Sequence, residues 1–253
     1  MDEQILKRLE TLEAQISRQN ARDEITNLFA AYQSEFSAQV GDALVDKYWS
    51  SREDITIELG ASGIYMGHRG IPTYYQKDRI PGNYTVYTLS SPCIEIAGDG
   101  LTARGLWTSV GMETESGDLG PQPPLDFEGR KLFSCVTEDG KKYRAEWIWQ
   151  RFGVDFILED GTWRIWHLHA YEIMRCPFDR DWVRYSTERF STDGLRIDAQ
   201  FKSNIPFPPG VPPENNAFLG TTFHWQYKPD ALAPEFPKAP VPYVSFDETE
   251  DKF

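Results

Sequence analysis

The sequence predicts an α+β fold in which helices precede a long, curved antiparallel sheet. Near the N-terminus, apolar residues recur at helical spacing. Later, residues 146–172 form two long alternating stretches on either side of Glu159-Asp160-Gly161, where Asp-Gly favours a tight hairpin turn. The chain has 253 residues, 40% hydrophobic and 14% aromatic, which is enough for one large core.

The first helix is predicted over residues 3–39. Its apolar positions are Ile5, Leu9, Leu12 and Ile16, followed by Ile25, Leu28, Phe29 and Tyr32. Up to about residue 20 the apolar stripe is narrow, so we interpret residues 1–20 as a helical N-terminal extension. Two alternatives remain open at this point: the extension packs against another subunit, or it lies on its own domain.

The following segments alternate between short helices and strands. Asp42 is expected to cap a helix that ends near Tyr48, strands are expected at 54–59 and 63–66, and a third helix at His68–Ile80. Pro72 lies in the first turn of that helix, where the missing N–H does no harm.

Long strands are then predicted at 84–96 and 101–113, joined by a turn at Gly98-Asp99-Gly100, and the hairpin described above completes the sheet. Between them, residues 114–141 are expected to form an inserted loop with a short strand near 131–136. We therefore delimit a domain at residues 21–175. The Pro-rich residues 176–253 are interpreted as an extension that wraps the surface of the domain or of a neighbouring subunit.

Composition excludes several classes of protein. A formal net charge of −13 disfavours binding to phosphate backbones. No uninterrupted apolar run of membrane-spanning length occurs, and the charged N-terminus does not resemble a signal peptide, so a cytoplasmic location is expected. Three widely spaced cysteines are typical of reduced thiols.

Two histidines are the leading catalytic candidates. Strict alternation would place His167 and His169 on the same strand face as Trp163, Ile165 and Tyr171, pointing into a cavity. Imidazole serves as an acid or a base near neutral pH. The alternative is a pair of buried histidines bonded to backbone or tyrosine. No third ligand accompanies them, so no metal site is predicted.

Further candidates are expected around the same cavity. Tyr87 is proposed as catalytic and Ser91 as its neighbour on the same strand face, although Tyr87 is equally compatible with a core position. Arg79 is proposed to hold an anionic oxygen, with a surface cation as the alternative. The remaining expected substrate-binding residues are Tyr32, Tyr75, Trp107, Glu146, Gln150 and Phe152. Glu146 is either a base with a raised pKa or a solvated carboxylate.

Three passages carry a resemblance to a known family: DEITNLFAAY (Asp23–Tyr32), YTLSSPCIEIAGDGLTARGLW (Tyr87–Trp107) and FILEDGTWRIWHLH (Phe156–His169). In order and spacing they resemble the NTF2-like superfamily, specifically its SnoaL-like branch, over roughly residues 20–175. The resemblance implies a cone-shaped curved sheet around helices, a ligand cavity at the open end, and homo-oligomers, usually dimers or trimers.

Departures from that family narrow the chemistry. Tyr87 stands where many relatives carry His, Gln33 follows the tyrosine after which scytalone dehydratases carry Asp, and Val154 replaces another frequent Asp. Mechanisms of the scytalone dehydratase and ketosteroid isomerase types are therefore disfavoured.

The tail from Thr221 to Pro234 is similar to that of sphingomonad proteins that include the diarylpropane lyases. These enzymes cleave lignin-derived dimers without a cofactor, releasing formaldehyde and leaving a stilbene. This resemblance implies a cofactor-independent lyase with a phenolic aromatic substrate. The alternatives are a dehydratase, isomerase or cyclase for a steroid- or polyketide-like substrate, or a non-catalytic carrier of a hydrophobic ligand.

Overall fold

The computed structural model describes residues 3–37, 43–59, 63–75, 81–116, 135–185, 215–216, 227–233, 236–247 and 253. Its helices are α1 (Glu3–Ser37), α2 (Ala43–Tyr48) and α3 (Gly67–Tyr75). Its strands are β1 (Thr56–Leu59), β2 (Gly63–Met66), β3 (Tyr84–Leu89), β4 (Cys93–Ile96), β5 (Thr102–Ser116), β6 (Cys135–Val136), β7 (Lys142–Glu159), β8 (Thr162–Pro177) and β9 (Asn215–Asn216). The predicted α+β class is confirmed.

The strands form one sheet in the order β3-β5-β7-β8-β1-β2-β9, with β4 paired to β5 and β6 to β7. Its long central strands are antiparallel, as predicted, and β1 runs parallel to β8, so the sheet as a whole is mixed. None of the helices among the described residues is long and apolar enough to span a membrane.

The second half of α1 packs against the sheet. Ile25, Phe29, Tyr32 and Phe36 recur at spacings of four, three and four residues and are all buried. Phe29 lies with its ring centroid 4.5 Å from that of Trp107 on β5. Burial of each large side chain contributes roughly 1.5–3 kcal/mol. We call the sheet face that meets α1 the inner face and the opposite one the outer face.

A break interrupts the strand predicted over 84–96. Leu89 pairs with Ser109, whereas Cys93 pairs with Leu106, so the chain between β3 and β4 contains one more residue than the partner strand. Ser91 lies in this break and is exposed. The prediction that Ser91 shares a strand face with Tyr87 is therefore wrong.

A β-bulge in β8 reverses the alternation on which the histidine prediction relied. Phe156 pairs with Ile165 and Asp155 with His167, which leaves Trp166 as an extra residue. One inserted residue moves every later side chain to the other face. Leu168 consequently joins the inner face, and the prediction that His167 and His169 share the face of Trp163 and Ile165 is wrong.

Three aromatic residues of the C-terminal segment lie on the outer face. Phe236 contacts Tyr171 at 5.4 Å between ring centroids, and Phe246 contacts Trp166 at 4.7 Å. Phe253 lies over Gly153, where a Cβ would approach its ring to 2.5 Å. A glycine at 153 therefore permits this close approach. The C-terminal aromatic residues also shield His167 and His169 from water.

Candidate functional site

Polar side chains from four strands meet at one end of the inner face. Residues directly opposite each other in a sheet share a face, so the pair Glu113–Glu146 lies on the same side as Gln150 and Phe152. A second bulge at Ile173 lets Gln150 pair with Glu172 while Ile148 pairs with Arg175. Both Glu172 and Arg175 therefore point inward, although three residues separate them.

Arg175 is the centre of this cluster. Its Nη1 donates to Glu113 Oε2 and to Glu146 Oε2, each at 2.8 Å, and its Nε donates to Glu172 Oε2 at 2.9 Å. Burial acts to lower the pKa of Arg175, but the three carboxylates outweigh it and the net pKa is raised. The guanidinium is therefore a permanent cation in a largely buried, acidic surrounding.

Tyr87 connects this cluster to the aromatic interior. Its hydroxyl donates a short hydrogen bond to Glu113 Oε1. Burial of the hydroxyl, together with the charge of Glu113, raises the pKa of Tyr87 above its usual value, while Arg175 and the amide of Gln150 partly oppose the shift. Tyr87 is consequently protonated at neutral pH, and its proton is already directed at a carboxylate.

A small cavity of about 20 Å³ lies beside Tyr87. It is lined by Tyr32, Gln33, Phe36, Ile57, Leu59, Tyr74, Tyr87, Gln150, Phe152 and Leu168. A cavity of that size holds about one water-sized group. This cavity is far smaller than the deep chamber that the sequence predicts.

Three stacked rings form one wall. The Phe36 ring lies between Tyr74 and Tyr87, 6.1 Å from each, with interplanar angles of 11° and 9°. A planar substrate ring would enter such a stack by taking the place of one of these side chains. The wall therefore suits an aromatic ligand.

A second chain of polar groups reaches the cavity from the core. Trp49 Nε1 donates to the Tyr75 hydroxyl at 3.2 Å, and the hydroxyls of Tyr75 and Tyr32 are 2.7 Å apart. Because Tyr75 accepts from Trp49, its own proton is best directed at Tyr32. Tyr32, which lines the cavity, is then able to donate in turn.

The two histidines lie across the sheet from this cavity. His167 Nδ1 is 2.9 Å from Asp155 Oδ2, and burial raises the pKa of Asp155 although His167 and Arg104 oppose it. His169 stacks on Tyr171 with ring centroids 3.7 Å apart. Burial lowers the pKa of His169 to about 4, with nearby Glu58 acting in the other direction. A role for either imidazole would thus require a site on the outer face, and it stays a prediction.

The other predicted residues divide into three groups. Tyr32, Tyr87, Gln150 and Phe152 line the cavity, Glu146 and Tyr75 lie in the two polar chains, and the third group comprises Trp107, Ser91 and Arg79. Trp107 faces inward but is buried against Phe29, Ser91 is exposed in the strand break, and Arg79 lies outside the described residues.

Sequence reasoning missed Gln33, Glu113, Glu172 and Arg175. Gln33 falls at helical spacing between Phe29 and Phe36, which was a usable signal. Strict alternation from Trp163 and Ile165 places Arg175 on the inner face but Glu172 on the outer one, so no comparable signal exists for Glu172. In the part of the chain that the structure describes, no group of three His, Cys, Asp or Glu side chains is arranged to hold a metal ion.

Residues 17–169 match the SnoaL-like domain, so the chain belongs to the SnoaL-like family and has the NTF2-like fold. Solved structures with similar folds include hexachlorocyclohexane dehydrochlorinase (LinA) type 2, which is 12% identical, covers 66% of this chain and 95% of that one, and has a TM-score of 0.49. The LinA type 3 enzyme from Novosphingobium barchaimii LL02 is 12% identical with coverages of 66% and 96% and a TM-score of 0.48.

An NTF2-like superfamily protein from Salmonella enterica serovar Typhimurium is 13% identical, with coverages of 65% and 99% and a TM-score of 0.45. At these identities the likeness concerns the fold alone. No curated protein sequence matches the chain.

Proposed function

We propose that the protein is a cofactor-independent lyase whose phenolic aromatic substrate binds at the inner-face cavity. The observation that carries this proposal is the chain Tyr87–Glu113–Arg175, which directs a proton from the wall of an aromatic cavity to a partly buried carboxylate. Proton transfer between positioned groups is the catalysis that such a chain supplies without any cofactor.

The proposed substrate is a diarylpropane diol, in keeping with the resemblance of the C-terminal tail to the diarylpropane lyases. In the first step, the substrate phenolate expels the benzylic hydroxyl, which leaves as water with a proton from Tyr32. The electron pair of the phenolate oxygen moves through the ring, and a quinone methide results.

In the second step, the terminal hydroxyl gives its proton to Tyr87 as Tyr87 passes its own to Glu113. The carbon–carbon bond then breaks, formaldehyde leaves, and the bonding pair returns to the ring as a stilbene phenolate. The proton on Glu113 finally replaces the one that Tyr32 gave. The sum is one diol converted to one stilbene, one formaldehyde and one water.

The two proton relays would account for a useful rate. General acid and general base catalysis contribute roughly 10²- to 10⁴-fold each, and orientation of the substrate adds to both. Arg79 is retained as the candidate that holds the phenolate oxygen. His167 and His169 take no part in these steps, because their rings lie on the outer face.

Substrate size sets a further requirement. Pockets for ligands of this class have volumes of roughly 300 Å³ or more, whereas the cavity has about 20 Å³. Phe36 and Tyr74 must therefore move apart when the substrate binds. The substrate ring then stacks against these two side chains, which no longer stack on each other.

The test is to incubate the protein with a phenolic diarylpropane diol and to measure stilbene absorbance and formaldehyde release. We expect Tyr87→Phe and Glu113→Gln to lower kcat at least about 10²-fold. His167→Asn and His169→Gln serve as matched controls from the outer face and should retain kcat within a few-fold.

Loss of water without formaldehyde would instead identify a dehydratase. Binding without any turnover would identify a carrier. A loss of kcat that is confined to the two histidine variants would place the chemistry on the outer face.

A further inference from the structure

One polar atom in each of two amide groups that line the cavity has no hydrogen-bond partner among the described residues. Gln33 Oε1 on α1 and Gln150 Nε2 on β7 are both buried and meet no partner in hydrogen-bond geometry among the described residues, and the same is true of the hydroxyl of Ser109, which lies opposite Gln150 in the sheet. Gln150 lies near enough to the Tyr87 hydroxyl to act on its pKa, but that hydroxyl directs its proton at Glu113. Both glutamines are 5% exposed and line the cavity. Buried polar atoms in native proteins are nearly always paired, so this arrangement indicates a missing partner.

The chemistry of that partner follows from the two orphaned atoms. Gln150 Nε2 requires an acceptor and Gln33 Oε1 requires a donor. A hydroxyl group meets both requirements with one oxygen, whereas an ether or carbonyl only accepts and an ammonium only donates. If both amides are rotated by half a turn, Gln33 becomes the donor and Gln150 the acceptor. The missing partner must still donate one hydrogen bond and accept one.

The size of the cavity also indicates that the missing partner is a single hydroxyl group. A volume of about 20 Å³ accommodates one oxygen-sized group and no more. We propose that Gln33 and Gln150 form a binding position for one hydroxyl group of the substrate, whose aromatic ring enters the neighbouring stack of Phe36 and Tyr74. This inference rests on the proposed function only in taking the cavity as the substrate site.

The test compares p-cresol with toluene, two rings that differ only by a hydroxyl, in calorimetric or ligand-observed NMR titrations. We expect the protein to bind p-cresol at least tenfold more tightly than toluene, because sites built for a hydroxyl reject analogues that lack it. Gln33→Leu and Gln150→Leu should lower the affinity for p-cresol to that for toluene and leave the affinity for toluene unchanged.

Denaturation midpoints at or above that of the parent would show that the leucine variants fold. Equal binding of p-cresol and toluene would mean that the amides hold a water only and would overturn the proposal. Equal weakening of both ligands in the variants would also overturn it. Since no turnover is involved, discrimination between the ligands without lyase activity would refute the proposed reaction and support the hydroxyl position.

A separate observation concerns the first part of α1. Residues 3–20 are all exposed, and burial begins only at Ala21. Eighteen helical residues at 1.5 Å each extend roughly 27 Å. Within them Ile5, Leu9, Leu12 and Ile16 are 44% to 57% exposed. Within the part of the chain that the structure describes, this apolar stripe is therefore not covered by its own domain.

The spacing and charges of residues 3–20 favour pairing with a second copy of the same helix. Ile5, Leu9, Leu12 and Ile16 fall at d, a, d and a positions of a heptad, with Arg8 at g and Glu13 at e. In a parallel pair, Arg8 meets the partner subunit's Glu13. In an antiparallel pair neither residue would meet an opposite charge.

The charge of the segment also permits self-association. Residues 3–20 contain three acidic residues (Glu3, Glu10 and Glu13) and three basic residues (Lys7, Arg8 and Arg18), so the segment is neutral within a chain of net charge −13. Two copies of this helix can therefore approach without the repulsion that opposes contact elsewhere. We infer that residues 3–20 form a parallel coiled coil with a second copy of the chain.

Sedimentation velocity of the full chain at micromolar concentrations tests this inference. Leu9→Glu combined with Leu12→Glu should weaken assembly at least tenfold without changing the denaturation midpoint, because both side chains are exposed. Ala14→Glu, on the opposite side of the helix, is the matched control and should assemble like the parent.

Orientation is tested by Ile5→Cys in a Cys93→Ser background, because position 5 lies near its own copy only in a parallel pair. A parallel pair brings the two introduced thiols together, and oxidation should cross-link the chains. A monomeric parent, assembly that is insensitive to the paired glutamates, or assembly without cross-linking at position 5 would each overturn the inference.

Discussion

Replacing Arg175 by Met tests the polar cluster of the inner face most directly. The change removes the cation that Glu113, Glu146 and Glu172 share and retains a side chain of similar length. Glu146 and Glu172 are 6% and 5% exposed, so water is poorly placed to replace the guanidinium. Three carboxylates would then face one another in a largely buried site.

The expected magnitude follows from the geometry. Removing one partner of a buried ion pair costs about 3–5 kcal/mol, because a buried charge is left uncompensated. Against a total stability of roughly 5–15 kcal/mol, such a loss is large. The deficit should shrink as the pH falls, since protonation of the carboxylates removes the repulsion. The variant is therefore expected to be least stable relative to the parent above neutral pH and closest to it near pH 4.

Urea denaturation followed by circular dichroism at pH 8 and at pH 5 measures both effects. Arg144→Met is the matched control: its Nε is 3.4 Å from Glu146 and its side chain is 26% exposed, so its loss should cost less than about 1 kcal/mol. An Arg175→Met variant within 1 kcal/mol of the parent at pH 8 would refute the reasoning. So would a deficit that is independent of pH.

Three further predictions concern the packing at Gly111, the titration of His169 and the hydrogen bond of Tyr75. Gly111→Ala should destabilise the protein by about 1–3 kcal/mol and lower activity, because a Cβ there would overlap the Tyr87 ring; denaturation and turnover measure the two effects, and a neutral result would contradict the packing. His169 has a pKa of about 4 in the folded protein and a higher pKa in the unfolded chain. As the pH falls from 6.5 toward 4, the unfolded chain takes up the proton first, so the protein loses stability over this range. His169→Gln should flatten the stability profile across that window by up to about 3 kcal/mol, and a profile of unchanged slope would contradict the assignment. Tyr75→Phe leaves Trp49 Nε1 without its acceptor and should cost about 1–3 kcal/mol in urea denaturation, whereas Tyr74→Phe, the neighbouring control, should cost less.

Local rules predicted several elements correctly. Ile25, Phe29, Tyr32 and Phe36 share one stripe of α1, and all are buried, because helical spacing is a property of the backbone itself. The turn at Asp160-Gly161 has φ values of 48° and 75°, both positive as a two-residue hairpin of this type requires. These features depend on residues close in sequence.

The contents of the site depended on two single-residue insertions. Trp166 and Ile173 are the extra residues of two bulges in β8, and each one reverses which side chains face inward. The first bulge moves His167 to the outer face, and the second brings Arg175 to the inner face beside Glu113. Neither bulge contains a glycine or proline that would mark it in the sequence.

The amino-acid sequence by itself determined the helix that fills the cone, the long hairpin, and a set of aromatic and amide side chains near its cavity. Only the tertiary structure decided which residues of β8 meet that cavity. The physical reason is that the face of a strand residue is set by its register against the neighbouring strand. That register depends on pairing with β7 along the whole length of the hairpin, so the unpaired Trp166 turns the imidazole pair outward and the unpaired Ile173 leaves Glu172 and Arg175 together on the inner face.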